Sequence, residues 1–440
     1  MKFARLGALA AGAALVFSAC SSAATSSPAA STEASTAASA AAPGPWCVGG
    51  TVKIGTEFPM SGGETANGGP ATNGVKLAIK EQNGKGGVAG CKIDINVQDD
   101  AVNGVHDPQQ GAKNIGTLAA DAAVIGVVGP YNSGVAKAEI PISNEAGLLM
   151  CSPANTNDGV TKPPEGDQYR TAHPDKISYI RTATPDSIQG PAGADYVFND
   201  LGAKSVYIID DTETFGVGVG DTFQAEFTKL GGTVVKRDSA PKSTSDYTPL
   251  FTGAAALKPA AVYLAGTAPS GMALAMKQGR TVPGMETIPF FGPDGTTDLV
   301  AGGGEGAMLT TVAAAGHDLY GTVGAVHDIP DPQGFANRYQ AEFNAPPGAY
   351  SSPSYACAQI IMQSLEMAAA TATDLASARE GVRANATNTA NKFDTAIGGL
   401  SFDKYGDNTA PYISYYKTDM TLAGGKGDWV FVKQVAFQPK

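Results

Sequence analysis

Four stretches of the chain set hydroxyl, amide or carboxylate side chains directly after an apolar run. VVGPYNSGVA (127–136) carries Tyr131, Asn132 and Ser133, and LLMCSPANTND (148–158) carries Ala154, Asn155 and Thr156. VYLAGTAPSG (262–271) carries Thr267, and FFGPDGTTD (290–298) carries Asp294. The helix-like VAKAEIPISNEAG follows the first stretch, so backbone N–H groups at a helix start face outward there and favour an anion. Hydroxyls beside free N–H groups suit a carboxylate, whereas Asp294 with Thr156 and a carbonyl suits an ammonium. Singly, each residue fits ordinary turn chemistry, an Asx turn or a Ser/Thr cap. Their coincidence at four strand ends points to recognition of a zwitterion.

Other chemistries find less support. His106, His173, His317 and His327 lie in polar or loop-like stretches without HExxH spacing, and no GxSxG follows a strand. The glycines of FGVGVGDTF (215–223) follow the strand-like SVYIIDD but do not make GxGxxG, and no GxxxxGK[ST] marks an ATPase. Asp99-Asp100 and Asp210-Asp211 stand at strand ends, where such pairs more often cap turns or face solvent than catalyse. No CxxC or Cys/His cluster suggests a structural metal. The expectation is a protein that binds without catalysis, cofactor or metal.

The elements that must position these residues alternate. TVKIGTEF, KIDINVQDD, AAVIGVVG, GLLMCSPA, SVYIIDD, TVVKRDS, AAVYLAG, IPFFGPD and AMLTTVAAA read as strands. Between them NGVKLAIKEQNG, PQQGAKNIGTLAAD, GPAGADYVFNDLG, VGDTFQAEFTKLG and SGMALAMKQGR show helical spacing. Such alternation implies parallel sheets with right-handed crossovers. The pattern restarts after YIRTATPD and turns helical again in PQGFANRYQAEFN and YACAQIIMQSLEMAAA. It then returns to strands in PYISYYK and WVFVKQVAF. The fold class expected is α/β, with two Rossmann-like parallel-sheet lobes. Lobe 1 is assigned residues 47–183 plus 312–397, and lobe 2 residues 184–311 plus 398–440. A ligand would lie between them, outside the carboxyl ends of the strands.

The 440 residues carry 30 Lys+Arg against 41 Asp+Glu, and a net charge of −11 argues against nucleic acid. At 43% hydrophobic the composition is that of a soluble globular chain. The opening MKFARLGALAAGAALVFSAC sets Lys2 and Arg5 before an apolar run too short to span a membrane, a signal peptide over 1–19. Cys20, directly after Ser18-Ala19, looks like the acylated cysteine of a bacterial lipobox, with Phe17 where leucine is usual. The Ser/Thr/Ala-rich stretch 20–46 cannot bury a core and reads as a tether. These features imply a lipid-anchored protein on the outer face of the cell membrane. Cys47 and Cys91 each precede a strand-like run, and pairing them would stabilise by roughly 4 kcal/mol. Cys151 and Cys357 are then either a second disulfide or two buried thiols.

The segments KIGTEFPMSGG…NGVKLAI, INVQDDAVN…DPQQGAKN, VVGPYNSGVAKAEIPISNEAGLLMCSPANT, YIRTATPDSIQGPAGADYV, FFGPDGTTD and GGLSFDKYGDN occur in one order. In this the chain resembles the Leu/Ile/Val-binding proteins of ABC importers, type I periplasmic binding proteins, over residues 48–440. The resemblance implies a three-crossing hinge near residues 180–187, 305–315 and 395–402. It also implies an amino-acid ligand, branched-chain or other aliphatic, a partner ABC permease, and a monomer. A bilobal sensor, or a carrier of amides, urea or aromatic acids, is the alternative. Carried over residue by residue, it puts Ser133 on the ligand carboxylate and Ala154 and Thr156 on the head group. Asp294 falls at an ammonium-binding glutamate, one methylene shorter. Thr267 falls at a position acting through its backbone N–H, Phe215 at an aromatic of the second lobe, and Tyr131 in the first-lobe wall. Asn67 replaces an aromatic that helps close the pocket.

Overall fold

β-branched runs with no polar face can lie only in a sheet covered on both sides, and the chain builds two of these. A computed structural model describes residues 43–300 and 306–439. The signal peptide 1–19, Cys20 and most of the 20–46 tether lie outside the described residues. The first lobe contains β1 (Thr51–Phe58), β2 (Lys92–Asp99), a small hairpin of β3 (Ala101–Val102) and β4 (Val105–His106), β5 (Val124–Val128), β6 (Met150–Ser152) and β7 (Tyr179–Arg181). Its sheet runs β2-β1-β5-β6-β7, parallel throughout. Helices α1 (Thr65–Gly84), α2 (Pro108–Ala120) and α3 (Ser133–Ala146) join these strands. Asp107 caps α2 ahead of Pro108, accepting from the N–H groups of Gln109 and Gln110. Gly147 ends α3 in the left-handed conformation that glycine adopts freely.

The second lobe takes α4 (Asp186–Asp195), α5 (Thr214–Lys229), α6 (Thr248–Ala255), α7 (Ala273–Gly279) and α8 (Met308–Val312). Its parallel strands are β8 (Ser205–Asp210), β9 (Thr233–Ser239), β10 (Ala261–Ala265), β11 (Phe290–Gly292) and β12 (Leu319–Val323). The chain then returns to the first lobe for α9 (Pro332–Phe343), α10 (Ser351–Ala369), α11 (Leu375–Ala386) and the β13–β14 hairpin (Phe393–Thr395, Gly398–Leu400). Finally β15 (Ile413–Asp419) and β16 (Asp428–Val435) add antiparallel to the second sheet, whose order is β16-β15-β12-β11-β10-β8-β9.

Alternation along each strand feeds two cores per sheet. Val206 and Ile208 pack with Val219 and Phe223 of α5, whereas Tyr207 and Ile209 pack with Phe251 of α6 and Met276 of α7. In the first lobe Ile54 and Ile125 meet Val75 of α1 and Ile360 of α10, and Val124 and Val127 meet Leu118 of α2 and Ile140 of α3. Two disulfides, Cys47–Cys91 and Cys151–Cys357, reinforce this lobe, so the last two cysteines are bonded rather than free thiols.

Three crossings run side by side. Thr184 N–H donates to Gly324 O at 2.8 Å and its hydroxyl to Tyr412 O at 2.7 Å, while Asn408 Nδ2 donates to Thr182 O at 3.1 Å. Two lobe boundaries differ from the sequence reading. The second crossing follows β12 at Val323, not residue 312, because AMLTTVAAA forms α8 and a further helical turn rather than a strand. The carboxylate of Asp298 accepts from Met308 N at 2.6 Å and so fixes a helix start there. The third crossing lies beyond residue 397, since Leu400 and Phe402 pack into the first-lobe core. The glycines of FGVGVGDTF lie inside α5, where a Cβ on Gly216 would meet Asp211 Oδ1 at 2.1 Å and Ala265 O at 2.6 Å. They serve close packing of the helix on the strand ends.

Candidate functional site

The four strand ends converge. Tyr131, Asn132 and Ser133 after β5 and Ala154 and Thr156 after β6 line one cleft with Thr267 after β10 and Asp294 and Gly295 after β11. Phe215, in the first turn of α5, and Tyr350, just ahead of α10, complete it. The free space enclosed by these side chains is small, about 20 Å³.

On the first-lobe side the two loops are tied to each other. Ser152 Oγ donates to Pro130 O at 2.7 Å, Asn155 Nδ2 donates to Tyr131 O at 2.6 Å, and Tyr179 OH donates to Asn155 Oδ1 at 2.6 Å. Ser133 is the first residue of α3, and its Oγ accepts a long bond from Asn157 N at 3.4 Å. No side chain caps this helix, so its N-terminal N–H groups face the cleft region as an anion-favouring end. From below, Arg181 at the end of β7 donates to Asn157 O at 2.7 Å and pairs with Asp407 of the third crossing at 2.8 Å. That guanidinium, fully buried, fixes the loop bearing Ala154 and Thr156.

The second-lobe side is acidic. Asp294 is 6% exposed, and burial raises its carboxyl to about 6 despite hydrogen bonds from Tyr350 and Gln189 that pull it down. It remains mostly an anion at neutral pH. Tyr131 and Tyr350 meet edge to face at 5.5 Å between ring centres, and burial holds both phenols well above their ordinary range. The tyrosines and Phe215 give the cleft an apolar wall between its hydroxyl end and its carboxylate end.

Of the eight ligand contacts expected from the sequence, seven line this cleft: Tyr131, Ser133, Ala154, Thr156, Phe215, Thr267 and Asp294. Asn67 does not. Its Nδ2 donates at 2.7 Å to Glu64, which also holds His106 Nδ1 at 2.7 Å, so the side chain is drawn into a buried polar knot on α1. Thr267 does not offer a free N–H; that group donates to Asp211 at 3.1 Å, and its hydroxyl caps the following turn through Ser270. Sequence reasoning passed over Tyr350 and Gln189. Tyr350 stands between α9 and α10, after the chain has returned to the first lobe, with no strand-end signal. Gln189 sits inside α4 and reaches Asp294 with both ends of its amide. Among the described residues none of the cleft-lining side chains is a histidine, and no group of His, Cys, Asp and Glu is arranged to hold a metal.

Two parallel-sheet lobes, linked by three adjacent crossings and enclosing a small cleft at their strand ends, define a bilobal binding protein. The chain belongs to the periplasmic binding protein family, whose model matches residues 51–419. It is 30% identical over 369 residues to a Leu/Ile/Val-binding protein of Rhizobium johnstonii, covering 83% of this chain and 91% of that one. A leucine-binding protein of Thermotoga maritima shares the fold with a TM-score of 0.70 at 23% identity, over 87% of this chain and 98% of that one. A solute-binding protein of R. palustris in complex with benzoate does so with a TM-score of 0.70 at 21% identity, over 88% and 96%.

Proposed function

We propose that this protein captures an aliphatic amino acid, branched-chain in the first instance, between its lobes and delivers it to an ABC permease. It does so as a monomer tethered by Cys20 to the outer face of the cell membrane, with no covalent chemistry and no cofactor. The observation that carries this reading is the opposition within one cleft of Ser133, at the start of α3, and Asp294, on the facing lobe. A carboxylate belongs beside the hydroxyls and the helix start, and an ammonium beside the buried anion. The names of the relatives point the same way. The aromatic wall favours one further reading, an aromatic acid, but such a ligand leaves Asp294 without a cation.

A thermal-shift screen of residues 45–440 tests this against the twenty amino acids, amides, urea and benzoate. A ligand at 100 times its Kd stabilises by about 2.7 kcal/mol, and the expected hits are leucine, isoleucine and valine. Ser133→Ala and Asp294→Ala each abolish the shift. A shift from benzoate, urea or an amide with none from an amino acid overturns the ligand assignment.

A further inference from the structure

The acidic end of the cleft is more than a lone carboxylate. Asp294 Oδ1 accepts from Gln189 Nε2 at 3.0 Å and from Gly295 N at 3.1 Å. Gln189 Oε1 in turn accepts Asp294 N at 3.0 Å and Thr322 Oγ1 at 3.2 Å, so the amide clamps both backbone and side chain of Asp294. With Oδ1 held on that side, Oδ2 is the oxygen left for other donors, and it accepts the Tyr350 hydroxyl. Tyr350 leads into α10 of the first lobe, whereas Asp294 follows β11 of the second. Their bond therefore crosses the cleft, and both residues line it.

A phenol that donates its one hydrogen to Asp294 keeps its lone pairs for another donor. Tyr350 and Asp294 both line the cleft, so an incoming N⁺–H can meet the phenol oxygen there. We propose that Tyr350 Oη receives one hydrogen of the ligand ammonium and relays its charge to Asp294, making Tyr350 a specificity-determining residue for the amine. Hydrogen bonds in such a chain polarise one another, and the buried anion strengthens the phenol as an acceptor. Because the bond joins the two lobes, the amine is sensed only when they meet. This inference rests on the amino-acid reading above.

The test is isothermal titration of the intact soluble protein with L-leucine, L-valine and 3-methylbutanoate, the last being valine without its amine. Tyr350→Phe keeps the ring and its packing against Tyr131. It is expected to weaken both amino acids 10- to 100-fold and leave 3-methylbutanoate unchanged, collapsing the wild-type preference for the amine. In the double variant Tyr350→Phe, Asp294→Glu, the longer acid reaches the position the phenol oxygen vacated, and affinity for L-valine returns to within about fivefold of wild type. A brace that merely holds the lobes together shows no such rescue and loses all three ligands alike. Wild-type affinity in Tyr350→Phe, or a double variant no tighter than the single, overturns the relay alone. Wild-type protein that binds neither amino acid overturns the amino-acid reading together with it.

Discussion

Arg181→Met lowers the unfolding free energy by about 3–5 kcal/mol and takes ligand affinity with it. The side chain is fully buried, and its guanidinium satisfies four partners. It pairs with Asp407 at 2.8 Å and donates to Asn157 O at 2.7 Å, Thr161 Oγ1 at 3.0 Å and Asn155 O at 3.4 Å. Methionine fills similar space but leaves Asp407 with Lys162 as its cation, 2.9 Å away, and strips two carbonyls of the loop that carries Thr156. Removing one partner of a buried ion pair costs about this much because the other charge stays behind in low dielectric. Urea titration at pH 7 measures it, and a loss below about 1 kcal/mol would show that water or Lys162 replaces the guanidinium. The double variant Arg181→Met, Asp407→Leu recovers most of the loss, since it removes both charges.

Glu57→Gln has the opposite sign and depends on pH. Glu57 is the next-to-last residue of β1, Asp100 follows β2 and Glu139 lies in the middle of α3, and all three carboxyls are buried against one another. The neighbours facing them bring no cation: Asp99 beside Asp100, Glu64 ahead of α1, already paired with His106, and Asn114 of α2, which donates to Glu57 at 3.1 Å. Burial raises Glu57 from its ordinary 4.5 to about 7, and burial with like charge pushes Asp100 and Glu139 well above the carboxylate range. The folded protein thus holds protons that the unfolded chain has released. The contribution of Glu57 to stability is full below about pH 4.5 and is lost as pH rises to about 7. Glutamine keeps the acceptor for Asn114 and supplies N–H donors permanently. It is expected to stabilise by about 3 kcal/mol at pH 8 and by nothing measurable at pH 4. Parallel curves of Tm against pH for the two proteins would sink the idea.

The strands that carry the site were legible because burial on both faces leaves an unbroken apolar run: VIGVV of β5 and SVYIID of β8 have no other interpretation in an alternating chain. Ser133, Thr156 and Asp294 were legible for the same reason, since loops at the carboxyl ends of parallel strands face a common edge. Tyr350 was not, because it enters the cleft from a third pass of the chain. Its partnership with Asp294, 56 residues away in sequence, depends on how the lobes meet. The second lobe boundary was misplaced by one element. MLTTV is as rich in β-branched residues as LYGTV, and what makes it helical is a carboxylate ten residues upstream. Asn67 was placed by the resemblance, at a position where an aromatic is usual, but a buried glutamate three residues earlier determines where the amide points.

The Cys151–Cys357 bond joins residues 206 apart, both in the first lobe, and every parallel strand of the second lobe lies in the chain between them. The second lobe is in this sense a covalent ring sewn onto the first. A ring of that size loses entropy only from its unfolded form, worth about 5 kcal/mol in the chain-entropy model. It also changes what a nick does. One proteolytic cut anywhere in the excursion yields two polypeptides that travel as a single band of intact mass on a non-reducing gel, and that part only when dithiothreitol is added. Outside the cytoplasm, a molecule cut once in its second lobe remains one molecule, with the two sides of the cut still joined through the first lobe.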